Sequence, residues 1–170
     1  MTIIENIISG IVAAFVSWGF DSVTRKSKQK VVSDKERLIK VINIIPEDYM
    51  QYILNEISLE TFSIEEKKSL EKYFRHATEE RFTFLNRKIE RARTSFNENL
   101  ENLLKNIRQY FYIHENISEL ITMLPEQRHK TDRHSINLTE KARTELGISI
   151  GNTRDSYKNF IRTARKKLLI

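Results

Sequence analysis

Apolar residues run almost without interruption from Ile3 to Phe20, broken only by Glu5, Asn6, Ser9, Gly10, Ser17 and Gly19. At about 1.5 Å rise per residue such a helix is about 27 Å long, enough for a thin bilayer core. Beyond residue 24 the pattern changes. Apolar residues then return every three or four positions, the period of a helix with one buried face. Leu38, Ile39, Ile42 and Ile45 mark one such face, with Ser33 and Glu36 spaced as a capping box and Pro46 as the stop. A second helix is predicted from Pro46 to Leu59, with Tyr49, Tyr52 or Ile53, Glu56 and Ile57 in turn. Ser63 and Glu66 form another capping box.

From Leu70 the same period continues through Phe74, Ala77, Leu85, Ile89, Ala92, Phe96, Leu100, Leu103, Ile107, Phe111 and Ile117 to Ile121. No Gly or Pro lies between Glu47 and Leu124. One helix over that stripe would run to about 90 Å, too long for a small compact body. Ser95 and Glu98 supply a cap signal, so a break is expected between Thr94 and Asn99. Pro125 opens a polar stretch. A short helix ending at Gly147 is expected next, then a last helix from about Asn152. The last helix presents Tyr157, Phe160, Ile161, Ala164 and Leu168 on one face, and Arg154, Lys158, Arg162, Arg165 and Lys166 on the other. No strand-like alternation is evident. The expected fold class is all-α: an N-terminal hydrophobic, transmembrane helix over residues 1–24, a basic juncture over 25–32 and a bundle of long helices over 33–170.

Charge adds an orientation. The chain carries 29 Lys/Arg against 23 Asp/Glu, a net +6, but unevenly. Residues 25–46 hold seven bases and two acids, residues 47–80 four bases and nine acids, and residues 125–170 eleven bases and five acids. No Lys or Arg precedes Arg25, and Arg25, Lys26, Lys28 and Lys30 follow the apolar segment at once. The positive-inside bias then puts the N-terminus outside and the body in the cytoplasm of a single-pass inner-membrane protein. Ser9, Ala13 and Ser17 recur every four residues behind Glu5. In a membrane such a small, polar stripe suits close helix packing or a pore lumen. The competing reading is a core helix of a soluble bundle, whose small stripe packs on a neighbour.

Candidate chemistry is sparse. There is no cysteine, so disulfides and thiolate metal sites are excluded. The four histidines, His76, His114, His129 and His134, show no metal-ligand spacing, and neither a metal nor a cofactor is expected. Arg128 and His134 stand in an Arg-x5-His spacing that resembles the motif of HEPN domains, all-helical modules of about this size. In active members this pair cleaves RNA across a dimer interface. The chemistry is reasonable, because a fixed cation stabilises phosphorane charge while an imidazole moves a proton. Arg108 and His114 repeat the spacing in a stretch expected to be mid-helix. A third feature, Glu145 to Gly151, resembles the turn of a bacterial helix-turn-helix, in which Arg154, Lys158 and Arg162 would meet DNA. Arg25, Lys26, Arg154, Lys158 and Arg162 are thus candidates for contact with nucleic acid or lipid.

Together the apolar first helix, the basic juncture, the helical body and the Arg…His spacing resemble the small membrane accessory proteins of type VI-B CRISPR loci. The resemblance covers the whole layout and implies a HEPN-like body that need not be a nuclease. It implies a ring-shaped homo-oligomeric pore that depolarises the inner membrane when an RNA-guided effector detects phage RNA. Glu5, Ser9, Ala13 and Ser17 would then line the lumen or the helix contacts. Two alternatives remain open: a dimeric HEPN ribonuclease using Arg128 and His134, and a nucleic-acid-binding regulator using the final helix.

Overall fold

A computed structural model of the chain describes residues 28–79, 82–113, 119–123 and 133–169. The expected transmembrane helix, residues 1–24, lies outside them. Among the described residues no helix is long and apolar enough to cross a membrane.

Five helices and one small sheet make up the described body: α1 over 28–44, α2 Glu47–Ser58, β1 Thr61–Ser63, α3 Ile64–Ala77, α4 Arg87–Tyr110, β2 Phe111–Ile113, β3 Leu120–Met123 and α5 Arg133–Leu168. The mostly helical expectation holds. Helix α1 is already formed at residue 28, so Ser33 sits inside it and does not start it. Its buried face is Asp34, Leu38, Val41 and Ile45, rotated from the expected stripe, and Ile39 is exposed. Pro46 separates α1 from α2 as expected. The Ser63–Glu66 capping box is present in both directions: Ser63 N–H donates to Glu66 Oε2 (2.6 Å), and Glu66 N–H donates to Ser63 Oγ (3.2 Å).

Helix α4 runs unbroken through Thr94–Asn99, where a break was expected. The interruption of the long apolar stripe falls earlier, between Ala77 and Arg87, and Asn86 caps α4 with its side-chain oxygen. Ser95 is exposed and its carbonyl accepts from Asn99 Nδ2, so the cap signal there is spent within the helix. Helix α5 is likewise continuous through Gly147 and Gly151. The expected helix-turn-helix turn over Glu145–Gly151 is therefore absent. Thr144, Ser149, Thr153 and Ser156 lie in this helix, and each donates its hydroxyl to a carbonyl three or four residues back.

Three short strands, for which no alternation was evident in the sequence, join the mostly helical body. β3 pairs antiparallel with both β1 and β2, giving the order β1-β3-β2, with Thr122 opposite Thr61 on one side and Tyr112 on the other. Phe111 and Ile121, placed by periodicity on a helix, are instead buried in this sheet. Strands of three or four residues are too short for a two-residue alternation to register. Glu60 reaches the sheet in a left-handed backbone conformation, φ 64°. Its N–H donates to Ile57 O and its carbonyl accepts from Met123 N–H, so α2's end and β3 together hold that conformation.

α4 and α5 are the antiparallel spine. Tyr110 meets Glu145, Asn106 meets Ser149, and Thr153 Oγ1 donates to Asn99 O. Further along, Phe96 stacks on Phe160 and tilts against Tyr157 and Tyr73. This aromatic centre is fully buried. Burying each large ring stabilises by about 1.5–3 kcal/mol. Tyr157 donates its hydroxyl to Ile45 O (2.8 Å), which fixes the end of α1 to the spine.

Candidate functional site

A cleft of about 540 Å³ lies between α1 and the end of α3. Helix α1 supplies Ser33, Glu36, Arg37, Lys40 and Asn43 from the side away from Leu38, Val41 and Ile45. His76 and Phe82 close the other wall. The amphipathic period of α1 explains the split: the apolar positions turn to the core, so the polar positions between them must face out.

Arg37 is braced within the wall, donating from Nη1 to Asp34 Oδ1 (3.1 Å). Asp34 is itself buried, 1% exposed, and accepts the backbone N–H groups of Leu85 (2.8 Å) and Asn86 (2.9 Å). One carboxylate therefore ties α1 to the start of α4 and satisfies donors that would otherwise be orphaned. Across the cleft, His76 Nδ1 is buried and lies 3.3 Å from Glu79 Oε1, outside hydrogen-bond alignment, with the ring against Phe82. Below it, Arg93 is buried, paired in a fork with Glu90, and donates to Ala77 O. Glu90 also accepts Phe84 N–H (2.8 Å), so this pair seals the α3–α4 connection. The cleft thus offers Lys40, Arg37 and an imidazole beside one exposed carboxylate, Glu36. The hydroxyl of Ser33 lines the same cleft, and the cations there suit an anionic group. Sequence reasoning passed over it, although Ser33, Arg37, Lys40 and Ile44 share one helical face.

A second groove, about 300 Å³, runs along the spine between Asn99, Asn102, Asn106, Glu145, Ser149 and Asn152. Glu145 accepts the Tyr110 hydroxyl, and this bond and burial push the Tyr110 phenol up to about 12. Tyr73 and Tyr157 are raised further, chiefly by burial. The Tyr73 hydroxyl has no hydrogen-bond partner.

Glu5, Ser9, Ala13, Ser17, Arg25, Lys26, His114 and Arg128 lie outside the described residues. His134 falls on the first turn of α5. Arg108 is exposed in the last turn of α4, 3.9 Å from Glu71 Oε1, and the chain turns to strand at Phe111, so Arg108 is not mid-helix as expected. Eleven residues of α5, roughly 16 Å, separate His134 from the level of Tyr110. Of the final helix's cations, Arg154 donates to Asn55 Oδ1 (3.0 Å) and is half-buried, Arg162 is exposed and reaches Asn159 Oδ1 (3.3 Å), and Lys158 is exposed. Arg154 is thus partly committed to holding α2.

No protein-family model matches the chain, and no curated protein or solved structure matches it either.

Proposed function

We propose that the chain is a self-associating inner-membrane protein. Its apolar N-terminal segment walls a pore, and its helical body, in the cytoplasm, couples that pore to an RNA-guided antiphage effector. The observation that carries this reading is the continuity of the basic juncture with the body. α1 is already helical at Lys28, so only residues 25–27 stand between the apolar segment and an ordered helix. A helix rooted by Tyr157 at one end and by Asp34 near the other transmits motion between body and membrane segment better than a flexible linker does. The small and polar row Glu5, Ser9, Ala13 and Ser17 suits contacts between like helices.

The test is membrane fractionation of the full chain followed by mass measurement in detergent and dye release from liposomes. The expected result is resistance to alkaline carbonate, a mass of several subunits, and leakage lost on Glu5 or Ser9 substitution. Extraction by carbonate, or a monomer that leaves liposomes intact, sinks the reading. The ribonuclease alternative predicts RNA cleavage that a paired Arg128→Ala and His134→Ala variant abolishes.

A further inference from the structure

The antiparallel spine brings three helix ends together. Phe96 stacks on Phe160, and each lies eight residues from a terminus region, so Lys88 and Leu168 are about 12 Å further along at the same level. Asp34 bonds the backbone at Leu85 and Asn86, so α1 passes that level too, with residues 28–33 beyond it. The first described turn of α1, the start of α4 and the end of α5 therefore lie at one end of the described body.

That end is basic. Lys28, Lys30, Arg87, Lys88, Lys166 and Lys167 are all exposed. Among the described residues the ion pairs here are Asp34–Arg37, His76–Glu79, Glu90–Arg93 and Glu47–Arg165, none of which uses those six. The N-terminus of α4 adds its own partial positive charge. The cations of α5's last turn offset the negative end of that helix, but this accounts for α5 alone and not for the bases on α1 and α4.

We infer that this end is a docking surface for anionic phospholipid headgroups. Four of the six are lysines on α1 and α5 and a fifth is on α4, hydrated point charges that suit scattered headgroups and do not need the planar fork of arginine. The six cations are spread over three helices, α1, α4 and α5. Residue 24, the last of the apolar segment, is four Cα steps from Lys28, at most roughly 14 Å away. A body tethered that closely to a bilayer presents this end to it, and each cation at an anionic leaflet contributes roughly fivefold in partition. The inference rests on the membrane reading above.

The test mixes the full chain with vesicles of phosphatidylcholine, alone or with a third phosphatidylglycerol, at physiological salt, and follows acetylation of each lysine by mass spectrometry. Phosphatidylglycerol is expected to slow labelling of Lys88, Lys166 and Lys167 by roughly fivefold or more, while Lys68 and Lys141, at the opposite end, stay unchanged. In a Lys88→Gln, Lys166→Gln, Lys167→Gln variant that melts like the parent, protection of Lys30 falls by about half or more. Equal labelling in both lipids overturns the proposal, as does protection by duplex RNA that phosphatidylglycerol does not reproduce. Carbonate extraction is scored separately. Protection of an extractable chain keeps this surface and removes the span; an inserted chain without protection does the reverse.

Discussion

The two ends of the body are fastened by different chemistry. At the helix-terminus end, a buried carboxylate, Asp34, caps backbone N–H groups of another element, and a buried Arg93–Glu90 fork seals a loop. Among the described residues no ion pair uses the exposed Lys28, Lys30, Arg87, Lys88, Lys166 or Lys167 around them. At the sheet end, Glu60–Arg143, Glu65–Lys68, Glu71–Arg108 and Glu145–Lys141 pair at or near the surface. Buried, backbone-directed bonds are costly to break, and exposed pairs are not. The comparison separates charge that holds the fold from charge that is available to a partner.

Five measurements can break or sharpen that contrast. Phe96→Ala removes the ring shared by Tyr73, Tyr157 and Phe160 between the two ends, and should cost about 3–5 kcal/mol in urea unfolding. Asp34→Ala should cost about 2–4 kcal/mol, because two part-buried N–H groups lose their acceptor; a loss no larger than that of a surface pair would refute the asymmetry. Alkaline pH should weaken the fold. The phenols of Tyr73, Tyr110 and Tyr157 are raised above 10, so stability is intact below pH 10 and falls as the unfolded chain's phenols ionise. The fall should track delayed phenolate absorbance, and Tyr110→Phe should remove the share near pH 12. Gly147→Ala and Gly151→Ala should each stabilise by about 0.5–1 kcal/mol, since a Cβ at either meets nothing within 4 Å and α5 is continuous there; destabilisation would restore the turn. Arg143→Ala should cost about 0.2–1 kcal/mol, and less in high salt.

Much of the helical framework is legible in the chain. The stop at Pro46, the Ser63–Glu66 box and the apolar face of Tyr157, Phe160, Ile161, Ala164 and Leu168 all follow from local rules and are all present. The sites are not legible to the same degree. Arg108 and His134 were marked by spacing, yet spacing says nothing of which helix ends meet. The α1–α3 cleft joins Lys40 to His76, residues distant in sequence that no short motif links.

Local sequence set the helical period, the Ser63–Glu66 cap and the uneven charge, because these depend on neighbours within a turn or two. Only the tertiary structure decided where the long stripe breaks. Ser95–Glu98 and the glycines of α5 carry local stop signals, but packing of Phe96 and Phe160 along the spine outweighs them, and the break moves to where Asp34 and Asn86 supply caps. It also decided that Leu120–Met123 is a strand, since pairing with Thr61–Ser63 and Phe111–Ile113 is a long-range bond that no local pattern encodes. And it gathered bases from both ends of the chain onto one surface, which charge counting along the sequence had left as two separate runs.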